Sequence, residues 1–291
     1  MIISEALKEF LYDQSLRYNS DRTKESYRWQ ISPFIRYGSD PELSELTIDL
    51  CNGYKLHLRN LDISSVTCQS YCRALRVFLK WLFENGYIED NLSARFPLPK
   101  AKRKVIDCLS DAEVRRLYQC DFRSDPVKIR NGCIITLMLD SGIRLSEAVT
   151  LRNCNVHLAD RYIVVDGKGS KQRIVPLGYT GVQLLKVYAQ LRPSSDLFFV
   201  SKDLSPITIN TVKDMFRKLK KESGIARLRP HLLRHTFATR YLQNGGDLFK
   251  LQQILGHTSL EMTKRYLHLS RGFVCEDFDS FSTLGNMKKD G

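Results

Sequence analysis

The sequence predicts a mainly α-helical protein with one small β-hairpin, divided into two domains at about residue 100. Three observations carry this. Apolar residues recur at intervals of three and four along most of the chain, the spacing of a single helix face. Residues 91–105, NLSARFPLPKAKRKV, put two prolines and five basic residues in a stretch without that spacing, the composition of an interdomain linker. The segments RYIVVDG and KQRIVPL, joined through Gly167, Lys168, Gly169 and Ser170, have the β-branched runs and glycine turn of a hairpin.

In the first domain, residues 1–100, the helical spacing covers 4–18, 24–37 and 65–83 with no strand pattern between them. The last of these helices stops at Asn85-Gly86 and gathers Arg73, Arg76 and Lys80 on one face, opposite its apolar one. That face is either a solvated surface or a stripe lying along phosphates. The second domain, 101–291, opens on Ser110 and Glu113, three residues apart, the spacing at which each side chain satisfies the other's free backbone N–H. Helices follow over 127–140 and after Gly142, then the hairpin, then helices over 208–223, 231–244, 247–255 and 259–267. A polar tail with Phe273, Phe278 and Phe281 ends the chain, and there are no internal repeats.

Composition narrows the class of partner. Of 291 residues, 43% are hydrophobic and 26% charged, as in ordinary globular proteins rather than disordered ones. Lys and Arg outnumber Asp and Glu by 45 to 32, a net charge of +13, with a pI of 9.4. Residues 1–100 hold 13 basic and 13 acidic side chains, so the whole excess falls in 101–291, with 32 against 19. Such an excess either serves solubility or meets a polyanion such as nucleic acid. Apart from Cys68 and Cys72, one helical turn apart, the eight cysteines are scattered without the close-spaced pairs that ligate zinc, and they read as buried small hydrophobes in a reducing compartment. No basic-then-apolar leader begins the chain and no run reaches a membrane span, so a cytoplasmic protein without membrane partners is expected.

Four segments carry chemistry: SGIRLSEAV around Arg144, DGKGSKQRIVP around Lys168, RPHLLRHTFATRYL around His231 and Arg234, and LGHTSLEMTKRYLHL around His257 and Tyr266. Alone, each has a bland reading: Arg144 as a surface cation, Lys168 as a solvated turn residue, Leu255-Gly256 before His257 as a helix C-cap, Tyr266 as a half-buried packing residue. Together, and in this order, they resemble the tyrosine recombinases, the phage-integrase and Xer-type family, over residues 105–270. The segment from Thr23 to Tyr37 and the helix of 65–86 resemble, more faintly, that family's helical DNA-clamping domain. The resemblance implies a two-domain clamp on double-stranded DNA that cuts and rejoins strands through a 3′-phosphotyrosyl intermediate. It also implies a tetramer on paired sites, formed with itself or a related recombinase, and no cofactor, metal or ATP; the sequence has no GxxxxGK[ST] loop.

Attack of a tyrosine on a phosphodiester passes through a phosphorane-like state with extra charge on the non-bridging oxygens, and fixed guanidinium forks stabilise such charge. Arg144 and Arg234 suit that task, and Lys in either place is a poor substitute. His231, three residues before Arg234, shares its helix face. The resemblance gives Lys168 the role of general acid to the leaving 5′ oxygen, His231 a part in moving the Tyr266 proton, and His257 a bond to a non-bridging oxygen. It leaves Lys171 and Arg173 as DNA-backbone contacts and Glu147 as a residue that orients its neighbours. Tyr266 is the expected nucleophile. The rival readings are a recombinase-like regulator that binds without cutting and a type IB topoisomerase.

Overall fold

A computed structural model of the chain describes residues 1–100, 107–167, 172–264 and 266, and its contacts divide it into two units, Met1–Lys104 and Val105–Gly291. The first contains α1 (Ile3–Leu16), α2 (Asp21–Tyr37), a 3-10 turn (Leu43–Glu45), α3 (Ile48–Asn60), α4 (Ser65–Glu84) and α5 (Leu92–Arg95). Ser20, Thr47, Ser64 and Asn91 each accept a backbone N–H from the first turn of the helix they precede, satisfying donors that a helix start leaves open. Along α4, Cys68, Cys72, Leu75, Phe78, Leu79 and Leu82 are buried at intervals of three and four. Phe10 of α1 meets Tyr27, Phe78 and Trp81 edge-on with ring centroids 5.3, 5.4 and 5.5 Å away. The Trp81 indole N–H, which would be costly to bury alone, donates to Asp13 at 3.0 Å.

Arg73, Arg76 and Lys80 are exposed on the opposite face of α4, with Lys80 paired to Glu84 at 3.4 Å. Helix α3 was absent from the sequence pattern, because Gly53 and the surrounding polar residues weaken its periodicity. It forms by burying Cys51, Tyr54 and Leu58, with Tyr54 edge-on to Phe34 at 5.2 Å.

The second unit contains α6 (Asp111–Gln119), α7 (Pro126–Asp140), α8 (Leu145–Val149), a 3-10 turn (Asn153–Asn155), β1 (Val156–His157), β2 (Tyr162–Asp166), β3 (Gln172–Pro176), α9 (Tyr179–Leu191), α10 (Ile209–Ser223), α11 (Pro230–Gln243), α12 (Leu248–Leu255) and α13 (Glu261–Lys264). The capping box ahead of α6 is reciprocal: Ser110 N–H donates to Glu113 at 2.8 Å and Glu113 N–H to Ser110 Oγ at 3.3 Å. Helix α7 is buried on nearly every side from Ile129 to Met138, and α9 and α11 pack against it. Helix α9 and the short β1 are further elements the sequence pattern did not mark. Glycine in the first turn of α9 lowers its helical propensity, and β1 has only two residues.

The sheet is antiparallel in the order β1-β2-β3, with Ile163 opposite Val175 and Val165 opposite Arg173. Ile163, Val165 and Val175 turn into the core, whereas Ile174, of opposite parity, is exposed. The hairpin tip with Lys168 and Lys171, and the tail with Phe273, Phe278 and Phe281, lie outside the described residues. No helix among the described residues is long and apolar enough to cross a membrane.

Phe10→Ala should lower the unfolding free energy by about 3–5 kcal/mol, since the ring is fully buried among three aromatic neighbours. Val77→Ala, on the exposed side of α4, should change it by less than about 0.5 kcal/mol. Urea titrations of the intact chain measure both.

Candidate active site

Helix α7 stops at Ser141, and Gly142 then adopts φ +65°, in the left-handed region. A Cβ on Gly142 would lie 2.3 Å from Phe237 Cδ1, so backbone and space both require glycine here. The turn delivers Arg144 to the N-cap of α8. Glu147, one turn on, accepts the Arg144 backbone N–H at 2.7 Å and its Nη1 at 2.8 Å. Arg173 of β3 reaches the same carboxylate through two parallel bonds, Nη1 to Oε1 at 2.8 Å and Nη2 to Oε2 at 2.9 Å. Glu147 is only 3% exposed. Burial by itself would raise its pKa; the hydrogen bonds from Arg173 and from the Arg144 backbone more than offset this and hold it below the ordinary glutamate value.

The same arginines meet the end of α12. Its C-cap, Gly256, has φ +60°, and the carbonyls of Ile254, Leu255 and Gly256 accept in turn from Arg173 Nε at 2.7 Å, Arg234 Nη2 at 2.6 Å and Arg144 Nη2 at 3.1 Å. A helix C-terminus carries about half a negative elementary charge, so these carbonyls attract guanidinium groups as well as accept their protons. Arg173 crosses directly over Gly256, where a Cβ would lie 2.9 Å from its Cδ. Arg234 completes its fork with Nη1 on Gly142 O at 2.5 Å. Burial, with the charge of Arg144 second, pushes the Arg234 guanidinium down to about 9, which leaves it protonated at neutral pH. Three guanidinium charges against the one Glu147 carboxylate leave two unneutralised, an excess that suits a phosphate.

His231 is exposed in the first turn of α11, while Arg234, one turn further, is buried and bonded to the Gly142 and Leu255 carbonyls. His257 follows the α12 cap, and its Nδ1 lies 2.8 Å from Thr263 Oγ1 of α13. The Leu255-Gly256 cap is thus part of the site's framework as well as a helix end. Tyr266 is 1% exposed, its ring among Ala238, Leu242, Leu251 and Leu255, and it is close enough to Arg234 to interact electrostatically. Its hydroxyl oxygen is 2.7 Å from Nδ1 of His235, a residue that sequence reading did not single out. The signal was present: His235 follows Arg234 and lies four residues from His231, on the same helix face.

Arg173, read from the sequence as a DNA-binding residue beside Lys171, has a side chain 11% exposed and bound to Glu147 and Ile254. It shares strand parity with buried Val175, and that alternation turns it inward.

Guanidinium groups fixed around the end of a helix, next to a buried tyrosine, are the parts of a site for phosphoryl transfer to a side chain. The chain belongs to the phage integrase family: the model of that family matches residues 107–272, and the model of its SAM-like domain matches residues 4–101. It is 33% identical to tyrosine recombinase XerC of Yersinia pestis over 91% of this chain and 89% of that protein. It is 30% identical to tyrosine recombinase XerD of Oceanobacillus iheyensis over 90% of this chain and 92% of that one. Among solved structures, XerA recombinase superposes with a TM-score of 0.51 at 27% identity, covering 95% of this chain and 98% of that one. A lambda integrase dimer bound to a COC′ core site has the same fold, with a TM-score of 0.75 at 20% identity over 91% of this chain and 95% of that one. The protein is therefore a tyrosine recombinase, an enzyme of DNA cleavage and rejoining.

Because the folded Glu147 titrates below its unfolded value of 4.5, its contribution to stability is complete above that pH and is lost as pH falls through the folded value. Glu147→Gln should therefore flatten unfolding free energy against pH on the acid side of 4.5, relative to wild type. At neutral pH it should cost about 3–5 kcal/mol, because it strands two arginines. Urea titrations across a pH series test both, and parallel curves for the two proteins would show that the carboxylate is not held ionised by the fold.

Proposed function

We propose that the enzyme is a site-specific recombinase of the simple two-domain type, in which Tyr266 attacks the scissile phosphorus and forms a 3′-phosphotyrosyl bond as the 5′ oxygen departs. The observation that carries this reading is the convergence of Arg144 and Arg234 on the carboxyl end of α12, with Tyr266 in the apolar cluster that includes Leu255 of the same turn. Arg144 and Arg234 stabilise charge on the non-bridging oxygens, and their carbonyl and carboxylate partners hold them before DNA arrives. Lys168 protonates the leaving 5′ oxygen, and His231 and His257 hydrogen-bond the phosphate. One phosphoester replaces another of similar energy, so the strand rejoins, to the same end or a new one, by the reverse path.

Residues 1–100 and residues 101–291 both contact the duplex. Arg73, Arg76 and Lys80 lie along phosphates, and Lys171 meets the backbone near the cut. Two DNA sites are brought together by a tetramer of this chain, with itself or with a related recombinase. XerC and XerD relatives that match nine-tenths of the chain support a Xer-type enzyme, with a mobile-element integrase as the second reading.

The test is a nicked DNA substrate drawn from the gene's own flanking sequence, incubated with protein and denatured in SDS. Wild type should form an adduct mapping to Tyr266 and Tyr266→Phe none, while Arg144→Lys and Arg234→Lys should form it about 10²–10³ times more slowly. Tight binding without an adduct would favour the non-cutting regulator, and relaxation of supercoiled DNA without recombination of two marked sites would favour the topoisomerase. Replacing Arg73, Arg76 and Lys80 together by Ala should weaken binding to all sequences alike and reduce the slope of log affinity against log salt by roughly 3. An unchanged slope would mean that this face is solvated only.

A further inference from the structure

We propose that His235 is a catalytic residue of strand cleavage, whose Nδ1 takes the phenolic proton of Tyr266 as the phenol oxygen attacks phosphorus. The proposal rests on Tyr266 being the nucleophile, and it moves to His235 a task that family resemblance gave to His231. The Nδ1-to-oxygen distance of 2.7 Å is within the reach required of a general base. The rings are tilted by 50° with centroids 5.7 Å apart, so they meet through their polar atoms rather than as a stack. The tyrosine ring is seated among Ala238, Leu242, Leu251 and Leu255 and is almost wholly shielded from solvent, which strengthens a hydrogen bond at its hydroxyl. His235 itself is mid-helix in α11, and the preceding residue is Arg234, locked onto the Gly142 and Leu255 carbonyls. Two consecutive residues of one rigid helix thereby carry the group that faces the phosphate charge and the group that faces the nucleophile. His231, four residues earlier, sits exposed in the first turn.

The step balances without further reactants. His235 begins as the neutral tautomer with Nδ1 bare and Nε2 protonated. The phenol O–H bond breaks and its proton passes to Nδ1 while the phenol oxygen bonds to phosphorus. The bond from phosphorus to the 5′ oxygen then breaks, and that oxygen takes a proton from Lys168. The imidazolium formed at His235 appears as the phosphorane gains its second negative charge, so the site's total charge is unchanged. Rejoining is the reverse: Lys168 recovers its proton from the attacking 5′ hydroxyl, and His235 returns its own to the departing phenolate.

The experiment is single-turnover adduct formation on the nicked substrate with His235→Asn, which can still accept a hydrogen bond from the phenol but cannot take its proton. Cleavage should slow by about a hundredfold or more, with DNA affinity within about twofold of wild type because the phosphate contacts are untouched. The deficit should persist when the leaving 5′ oxygen is replaced by sulfur, which departs without a proton, whereas Lys168→Ala should recover on that substrate. Site-specific difluorotyrosine at 266, a more acidic phenol, should restore about tenfold or more of the lost rate to His235→Asn. Should the Asn variant fail to bind DNA, His235→Gln is measured for the same outcomes. Cleavage by the Asn or Gln variant within about threefold of wild type would overturn the proposal, since no proton acceptor would then have been lost. A deficit cured by the sulfur leaving group, no gain from the fluorinated phenol, or the same signature in His231→Asn in place of His235→Asn would overturn it too. Wild type that forms no adduct at Tyr266 would instead overturn the nucleophile assignment on which it rests.

Discussion

The second unit is organised around arginines drawn into partly dry surroundings by a single buried carboxylate and the end of one helix. Burying a charge is costly unless it is paired, and here the pairing is shared. Glu147 holds Arg144 and Arg173, and three consecutive carbonyls at the end of α12 hold Arg173, Arg234 and Arg144 in turn. Neither source neutralises the cluster. The excess positive charge is a cost in the free protein, a local rule broken where the site lies.

Elements distant in sequence are tied together by this arrangement. The turn after α7 exposes the Gly142 carbonyl to Arg234 and sets Arg144 at the start of α8. The strand β3 contributes Arg173, and the left-handed cap of α12 turns its last carbonyls outward and lets Arg173 cross above Gly256. The glycines of the SGIR and LGH segments both answer to packing: a methyl group would meet the Phe237 ring at Gly142 and the Arg173 side chain at Gly256. The buried helix α7 is the base against which the turn is held, and α11, packed on it, carries Arg234 and His235.

The tyrosine has a different environment from the arginines. Its ring lies in a small apolar cluster formed by α11 and α12, so the helices that hold Arg234 and the carbonyls it meets also hold the phenol. Arg234 reaches the Leu255 carbonyl, and Leu255 and Tyr266 belong to the same apolar cluster, so the end of α12 serves both. The close-packed surroundings hold the phenol in one orientation, with its hydroxyl against His235.

The helical character of the chain, the hairpin and the identity of the chemistry were legible in the sequence, because apolar spacing and residue type are local properties. The order Arg144, Lys168, His231, Arg234, His257 and Tyr266 carried the family resemblance before any geometry was known. Helices α3 and α9 were not legible, since their glycines and polar residues weaken the local pattern and only burial against neighbouring helices makes them form. Partners were not legible either. That Arg173 meets Glu147 follows from strand parity and the approach of α12, and that His235 meets the phenol follows from how α11 faces Tyr266. A sequence states which groups are available, but the cost of leaving a buried charge or donor unpaired is settled only among side chains that the folded chain brings together, and that pairing belongs to the tertiary structure.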